Sequence, residues 1–520
     1  MKKSLSYLIP SLADIFFICI FLYLCLSEGG GGLLGDGDTG YHIRAGEFIL
    51  DTLSIPRQDI FSYLTPPLHW TAHEWLSEVI MALVHRASGL TGVVVFFAFM
   101  IAATYSLLFR VLRKEKFNVL LTVVILVLVL ASSQIHWLAR PHIFSLFFMI
   151  IWYHLLDDYQ YHNRNRLYFL PALMVLWVNL HGGYIIGLLL LGIYLFSDVM
   201  IWWRVNDEDK PEYVGKVKGF SLIFLACIMV SLVNPYGYQI LLFPFQLSSN
   251  REIIDYVSEF QSPNFHEPII FTYLFLFALA TFALSKKRLN IIELILVLLF
   301  TYMSLFSARY IPLFGIIVAP IVIKQFDFMI REAHGSFADG LKKRADRIAS
   351  TDASAQGYLW PGIAVVAIVI FLAVSGAGYS FDEKIKPVAA AEFLDRERLE
   401  GHMFNNDEFG DYVIYRLYPE YRVFIDGRLD MYGKDILKEY YQVIRLEPEW
   451  ETVLKKYDVN YIFYNSKTAL SQFLLERDDW KLIYSDPVAN IFMRNIPENR
   501  EVIEKYKNTK PYQEEKKADY

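Results

Sequence analysis

The sequence predicts a polytopic α-helical membrane protein carrying a small extracytoplasmic α/β domain at its C-terminal end. Three observations lead there. The 520 residues are 55% hydrophobic, above the 45–50% apolar content usual for soluble domains. The apolar residues fall in runs long enough to cross a bilayer, which takes roughly 20 residues. From about Asp382 the pattern changes to short apolar stretches alternating with amphipathic ones, the signature of strands and helices in one layer structure. The formal net charge of −6 says little, because charge is segregated by side. The three cysteines, Cys19, Cys25 and Cys227, sit inside apolar runs, so neither a disulfide nor a thiolate zinc site is expected in the polar parts.

About eleven spans are expected, at residues 9–27, 90–110, 118–136, 142–158, 167–180, 184–203, 219–236, 268–285, 289–306, 309–325 and 359–378. Segment 74–88 is amphipathic and carries Glu78, His85 and Arg86, so it reads as an interfacial helix rather than a span. Sidedness follows from Lys and Arg. One set of loops holds positive charge throughout, from Lys2 and Lys3 through Arg113, Lys114, Arg164, Lys210 and Lys286 to Arg347. The opposite loops hold only Arg44, Arg57, Arg86, Arg140, Arg251 and Arg309. The first set is cytoplasmic by this rule. The N-terminus is then inside and the C-terminal domain outside, with the protein multi-pass in a bacterial inner membrane. The first apolar run has no small-residue cleavage site after it and reads as a span, not a leader. Residues 325–358 read as a polar cytoplasmic linker, either a loop or a short surface helix. The expected division is a membrane domain over 1–380 with a large first outer loop at 28–89, an α/β domain over 381–505 and a disordered tail over 506–520.

The first outer loop is where chemistry concentrates. Residues 35–78 hold Asp36, Asp38, His42, Arg44, Glu47, Asp59, His73, Glu74 and Glu78. Ionisable groups at a membrane surface are costly and by default mark function. The other outer segments contribute His136, Arg140 and His142 in HWLARPH, Asn179 and His181 in WVNLHGG, Asn234 in NPYG, Glu259, Gln261 and His266 before the eighth span, and Arg309 in SARY. This asymmetry argues for one cavity open to the outside. Carboxylates there can act as a general base or hold a divalent cation. Arginines can hold a phosphate. Aromatic residues such as Tyr41, Trp70, Trp75, Trp137 and Trp177 can stack on sugar rings.

Plainer readings stand beside these. Asp38 can cap a helix over 39–51. Arg44 and Glu47 are three apart and can pair with each other. Glu74 can favour the start of the interfacial helix, although Glu74 and Glu78 share one face. Arg140 and Arg309 can snorkel, yet they are rare positive charges on the outer side. Asn179, His181 and Asn234 can satisfy backbone at helix ends.

The acidic loop after the first span, GDGD followed by TGYHIRAGEFI, resembles the first outer loop of the GT-C class of integral-membrane glycosyltransferases. That class includes protein O-mannosyltransferases, the aminoarabinose transferase of lipid A and the catalytic subunit of oligosaccharyltransferase. Eleven spans and an external C-terminal domain also fit it. The chain is similar as well to a group of bacterial membrane proteins sharing HEWLSE-, NPYG- and VFIDGRLDMYG-like stretches, a likeness that implies no substrate. The GT-C resemblance implies a polyprenyl-phosphate-linked sugar as donor, and an acidic first-loop residue as base or metal ligand. The matching positions are Asp36 and Asp38. A divalent cation, Mg or Mn, would sit on these two. The second outer loop, where oligosaccharyltransferases place further acidic ligands, has no carboxylate here, so a metal-free route or one using His136 or His142 stays open.

The expected activity is therefore inverting sugar transfer on the extracytoplasmic side to an acceptor protein, lipid or glycan. Asp36, Asp38 or Glu74 would be catalytic. His42, Arg44, Glu47, His73, Arg140, His142, His181, Glu259 and Arg309 would bind substrate, with Arg309 and Arg140 on the lipid phosphate. No nucleic-acid partner is expected. A transporter of lipid-linked sugar is the first alternative; it calls for ionisable groups near mid-membrane, and Asp14 and Asp198 are the few acidic residues read within spans. A non-catalytic scaffold of the same fold is the second. In the C-terminal domain MFNN, YRVFIDGR, VNYIFYN and ANIFMRN are expected as strands. Asp426, Arg428 and Asp430 in FIDGRLD read most simply as a turn, with facing the cavity or binding acceptor as the weaker alternative; no catalytic chemistry is assigned to this domain.

Overall fold

The computed structural model describes residues 8–26, 29–249, 257–355 and 357–513. Lys2, Lys3 and Arg251 of the charge count, and residues 514–520 of the expected tail, lie outside the described residues. Contacts divide the chain into two compact units. One comprises residues 1–30, 94–245 and 254–378; the other comprises 31–93, 246–253 and 379–520. The first outer loop, placed with the membrane domain from sequence, groups with the C-terminal residues.

The helices used below are, in chain order, α1 (Leu12–Leu26), α2 (Asp38–Thr52), α3 (Trp75–Lys114), α4 (Val119–Ser133) and α5 (His142–His162). They continue as α6 (Phe169–Leu180), α7 (Tyr184–Arg204), α8 (Lys210–Ser231), α9 (Ile270–Leu284), α10 (Ile291–Phe306) and α11 (Ile311–Glu332). The last are α12 (Ser336–Ser354), α13 (Leu359–Ser375), α14 (Val388–Glu397), α15 (Asp407–Leu417) and α16 (Leu429–Ile444).

A helix occupies each segment expected to span. Among the described residues, five helices are long and apolar enough to cross a membrane: Trp75–Lys114, Val119–His136, Tyr184–Arg204, Lys210–Ser231 and Ala308–Glu332. The protein is a multi-pass helical membrane protein. Its first unit turns apolar side chains outward, such as Leu222, Leu225 and Met229 on α8 and Val366, Ile370 and Val374 on α13. In water such surface would be unfavourable; in lipid it is the solvated face. Side-chain caps close the helix starts where sequence supplies them. Asn118 accepts from the N–H groups of Leu120 and Leu121, and Asn290 forms a capping box with Glu293. Residues 336–354 are a helix, α12, rather than a loop. Asp14 and Asp198 are not the only acidic residues on these helices: Asp157, Asp158 and Glu293 also fall within the predicted spans.

α3 is broken at Ser88 and Gly89. Gly89 has φ +60°, a region glycine adopts without the Cβ clash. The break separates the amphipathic segment 75–88 from the apolar one after it, as the charge pattern requires.

In the second unit α2 packs on α3 and α15. A Cβ on Gly46 would stand 1.9 Å from the Glu78 carbonyl oxygen, so glycine is what lets α2 cross α3 this closely. The C-terminal residues build a four-stranded sheet of β1 (His402–Asn405), β2 (Val459–Asn465), β3 (Trp480–Ser485) and β4 (Ala489–Arg494), in the order β1-β2-β4-β3. β1 is parallel to β2, and the other pairings are antiparallel. Ile462, Phe463, Ile491 and Phe492 are fully buried. WKLIYS forms β3 although it was not expected as a strand.

YRVFIDGR was expected as a strand and is not one. Its backbone is satisfied by a side chain instead: Phe424 N–H donates to Asn405 Oδ1 at 2.8 Å, and Asn405 Nδ2 donates to the Ile425 carbonyl at 2.7 Å. Its other edge takes the first outer loop. Val423 N–H donates to Phe61 O at 3.1 Å, and Tyr63 N–H to Val423 O at 3.2 Å. A buried extended segment needs such partners whether or not a ladder supplies them.

Candidate active site

Two clusters hold the residues singled out from sequence, one in each unit. The first lies in the second unit, on α2, the start of α3 and the FIDGRLD segment.

Gly37 takes the N-cap position of α2 and has no side chain to cap it. Asp38 therefore does not serve as its cap. It is 9% exposed, and its N–H donates to Asp36 Oδ1 at 3.0 Å. The Asp38 carboxylate turns toward Gly427: Oδ1 is 2.1 Å from where a Gly427 Cβ would stand, and Asp411 Oδ2 is 2.9 Å from the same point. These two distances put the carboxylate oxygens no more than about 5 Å apart. Asp411, on α15 and 1% exposed, also accepts from Gly427 N–H at 2.9 Å. Burial, then the charges of Asp38 and Asp426, push the Asp411 carboxyl well above the ordinary carboxylate range.

Beside this pair stands a buried ion network. Arg428 donates to Asp426 through Nε (2.8 Å) and Nη2 (2.6 Å), and to Asp59 Oδ1 through Nη2 at 2.8 Å. Tyr432 O–H donates to Asp426 Oδ2 at 2.7 Å. The guanidinium lies 4.8 Å from the Phe61 ring centre and 4.5 Å from that of Trp70, a cation–π cradle. Burial alone would raise Asp59, but the Arg428 charge and hydrogen bonds from Ser62 and Phe61 bring it below its ordinary value. Burial raises Asp430, against the charges of His73 and Arg428.

His42 joins the α2 and α3 parts. It is 1% exposed; Nδ1 is 3.3 Å from Glu78 Oε1 and Nε2 3.6 Å from Glu74 Oε2. His73 Nε2 is 3.7 Å from the other Glu74 oxygen. Among the described residues, Glu78 Oε2 and Arg428 Nη1 are buried atoms with no hydrogen-bond partner. Arg44 and Glu47 pair with each other as helical spacing allows. Arg44 Nε also donates to Tyr415 O at 2.6 Å, and Glu47 faces His85 at 3.3 Å. Their contacts knit α2, α3 and α15 together.

Asp36 and Asp38 were expected to hold any cation. Among the described residues, no three Asp, Glu, His or Cys side chains of this cluster bring donor atoms within 4.8 Å of one another. Asp36 and Asp411 each commit an oxygen to a backbone N–H. As arranged, the described residues of this cluster do not make a three-ligand cation site.

The second cluster lies in the first unit. Arg140 Nη1 donates to Glu259 Oε1 at 2.9 Å. His142 Nε2 is 2.7 Å from His136 O, and His136 Nε2 is 3.1 Å from Ala308 O. His181 Nδ1 accepts from Gly183 N–H at 2.9 Å and lies 2.7 Å from Ser145 Oγ. Asn179 donates to the carbonyls of Val175 and Val233, and Asn234 to that of Val178. Both asparagines satisfy backbone. Arg309 lies 5.1 Å from the Phe260 ring centre and pairs with no carboxylate among the described residues.

The backbone as a whole matches solved structures. The oligosaccharyltransferase of Archaeoglobus fulgidus in its apo form superimposes with a TM-score of 0.57, at 12% identity, over 94% of this chain and 75% of that one. The same organism's AglB oligosaccharyltransferase, solved with an inhibitory peptide and a dolichol-phosphate, gives a TM-score of 0.58 at 12% identity over 88% and 69%. The fold is of the GT-C type. ArnT from Cupriavidus metallidurans, bound to undecaprenyl phosphate, aligns over 92% of this chain and 97% of that one at 10% identity, with a TM-score of 0.47. No protein-family model matches the chain, and no curated protein matches it by sequence.

Sequence reasoning singled out Asp36, Asp38, Glu74, His42 and His73, passed over Asp411, and read Asp426 and Arg428 as a turn before any role at the cavity. FIDGRLD held the available signal. Three charges within five residues are more than a turn needs.

Proposed function

We propose that this protein is an inverting glycosyltransferase using a polyprenyl-phosphate-linked sugar, with Asp38 as general base. The observation that carries this reading is the convergence of the Asp38 and Asp411 carboxylates at Gly427, in a fold of the GT-C type. The AglB structure that shares the fold was solved with a dolichol-phosphate, which supports a polyprenyl-phosphate donor.

Two neighbouring carboxylates release their protons in separate steps, so one is ionised while the other keeps a proton. Asp411 is the member with the stronger hold on the proton. Asp38 is then the ionised partner, able to accept a proton. It takes the proton of the acceptor hydroxyl. The acceptor oxygen bonds to the anomeric carbon as the carbon–oxygen bond to phosphate breaks. The lipid phosphate leaves with the electron pair, and the anomeric configuration inverts.

Arg309, which pairs with no carboxylate among the described residues, is the better phosphate ligand; Arg140 would have to release Glu259. Arg428 Nη1 and Glu78 Oε2, one donor and one acceptor, suit sugar hydroxyls, which need both. Eleven spans, a cytoplasmic N-terminus and an extracytoplasmic C-terminal domain in an inner membrane complete the reading.

The test is sugar transfer in membranes holding matched amounts of wild type, Asp38→Asn or Asp36→Asn, with labelled polyprenyl-phosphate sugars. Turnover in wild type and Asp36→Asn but not Asp38→Asn supports the reading. Equal turnover in all three moves the base elsewhere, Glu74 next. No turnover with any donor returns the scaffold and transporter readings.

A further inference from the structure

The first unit contains a cavity of about 370 Å³ lined by the end of α3, the C-terminal half of α5, and parts of α7, α10 and α11. It lies away from the Arg140 cluster: α5 begins at His142 and carries the cavity residues from Tyr153 to His162, roughly 16–30 Å along the helix at 1.5 Å per residue. Most of its charges are matched. Lys324 Nζ lies 2.6 Å from Glu293 Oε1, and Arg331 Nε 2.7 Å from Asp327 Oδ2. Glu115 and Asp157 differ. Their ion partner among the described residues is His162 alone, 3.0 Å from Glu115 Oε1 and 3.9 Å from Asp157 Oδ2 through the same Nε2.

We propose that Glu115, Asp157 and His162 bind a divalent transition-metal ion of the Zn²⁺ class at this cavity. Ligand atoms sit about 2.0–2.2 Å from such an ion. Tetrahedral angles then separate neighbouring ligand atoms by about 3.4 Å, and octahedral ones by about 3 Å. The separations of 3.0 and 3.9 Å bracket that range, and all three donor atoms lie within 4.8 Å of one another. Two carboxylates and one imidazole form a nitrogen–oxygen set suited to zinc. Binding would hold both carboxyl groups and the imidazole in their deprotonated, ligating forms. Three protein ligands leave a fourth position open to the cavity, for water or a small anion. Glu115 follows α3 and the other two end α5, so the ion would tie two helix ends together. This site is separate from the proposed transferase chemistry and stands without it.

The test uses the full chain, purified in detergent and stripped of metal. Zn²⁺ binding is measured by calorimetry and Co²⁺ by its visible absorption, in wild type, His162→Ala and Asp157→Asn. One ion per wild-type chain, a Co²⁺ spectrum with nitrogen–oxygen ligation, and affinity lowered about tenfold or more in both variants bear the proposal out. Zn²⁺ should also raise the unfolding midpoint of wild type and not of the variants. Asp157→Asn keeps side-chain volume, so it carries the test where His162→Ala does not fold. Absence of stoichiometric binding in wild type overturns the proposal. So does binding that both folded variants retain, because His162 would then only bridge two carboxylates.

Discussion

Asp38, at the start of the first-loop helix, and Asp411, from the C-terminal α/β part, bring their carboxylates together over the backbone of Gly427. Neither is near the other in sequence. A glycine at 427 is what leaves room for both, since a Cβ there would overlap Asp38 Oδ1.

The first prediction separates the two carboxylates by their kinetics. Asp38→Asn removes the base and should lower turnover by about 10²–10⁴-fold. Asp411→Asn leaves the base and keeps its neighbour neutral at every pH. Turnover should persist, and the step that ionisation of Asp411 adds to the kcat/KM profile should disappear. A pH profile of both variants checks this; a profile of Asp411→Asn identical to wild type would show that the pair is not coupled.

The same pair sets a stability signature. The Asp411 pKa is raised in the folded chain, so above about pH 4, the unfolded value, the folded state binds more protons. Stability from this group is full at low pH and falls as pH rises toward the folded pKa, by up to about 1.4 kcal/mol per pH unit. Asp411→Asn should flatten that slope in thermal unfolding and hold a higher midpoint than wild type at neutral pH.

Arg428 should be costly to remove. Arg428→Met leaves Asp59 and Asp426 buried without their counter-charge, which costs about 3–5 kcal/mol. Adding Asp59→Asn should recover part of the loss. Unfolding midpoints of the single and double variants measure the recovery.

In the other cluster, Arg309→Gln should weaken donor use more than Arg140→Gln does, because Arg140 is already paired with Glu259. A lost charge-assisted hydrogen bond of about 1.5–3 kcal/mol corresponds to roughly 10–150-fold in kcat/KM for the lipid donor. Kinetics at varied donor concentration decide it, and Arg309→Lys should restore part of the activity.

Gly46→Leu should damage folding. Its side chain would enter the space of the Glu78 carbonyl and force α2 away from α3. Protease sensitivity of residues 31–93 should rise in this variant, while Gly215→Leu, with open space at its Cβ position, should leave it unchanged.

Local chemistry determined much of this protein. Apolar runs determined the membrane helices, because hydrophobicity is a property of consecutive residues. Gly89 and the charges before it divided the interfacial segment from the span. The Asp36–Asp38 and His73–Glu74 pairs stood out as polar residues next to a membrane. Tertiary structure alone decided what these residues meet. Asp38 looks like a helix cap until the chain brings Asp411 to it. Arg44 and Glu47 look like a simple helical pair, yet Arg44 also reaches Tyr415 and Glu47 faces His85. YRVFIDGR alternates like a strand, yet Asn405 supplies its hydrogen bonds, and FIDGRLD looks like a turn until Asp59, Phe61 and Trp70 enclose Arg428. Local patterns record what a residue prefers; which partner satisfies it depends on segments hundreds of residues away, and no window along the chain contains both.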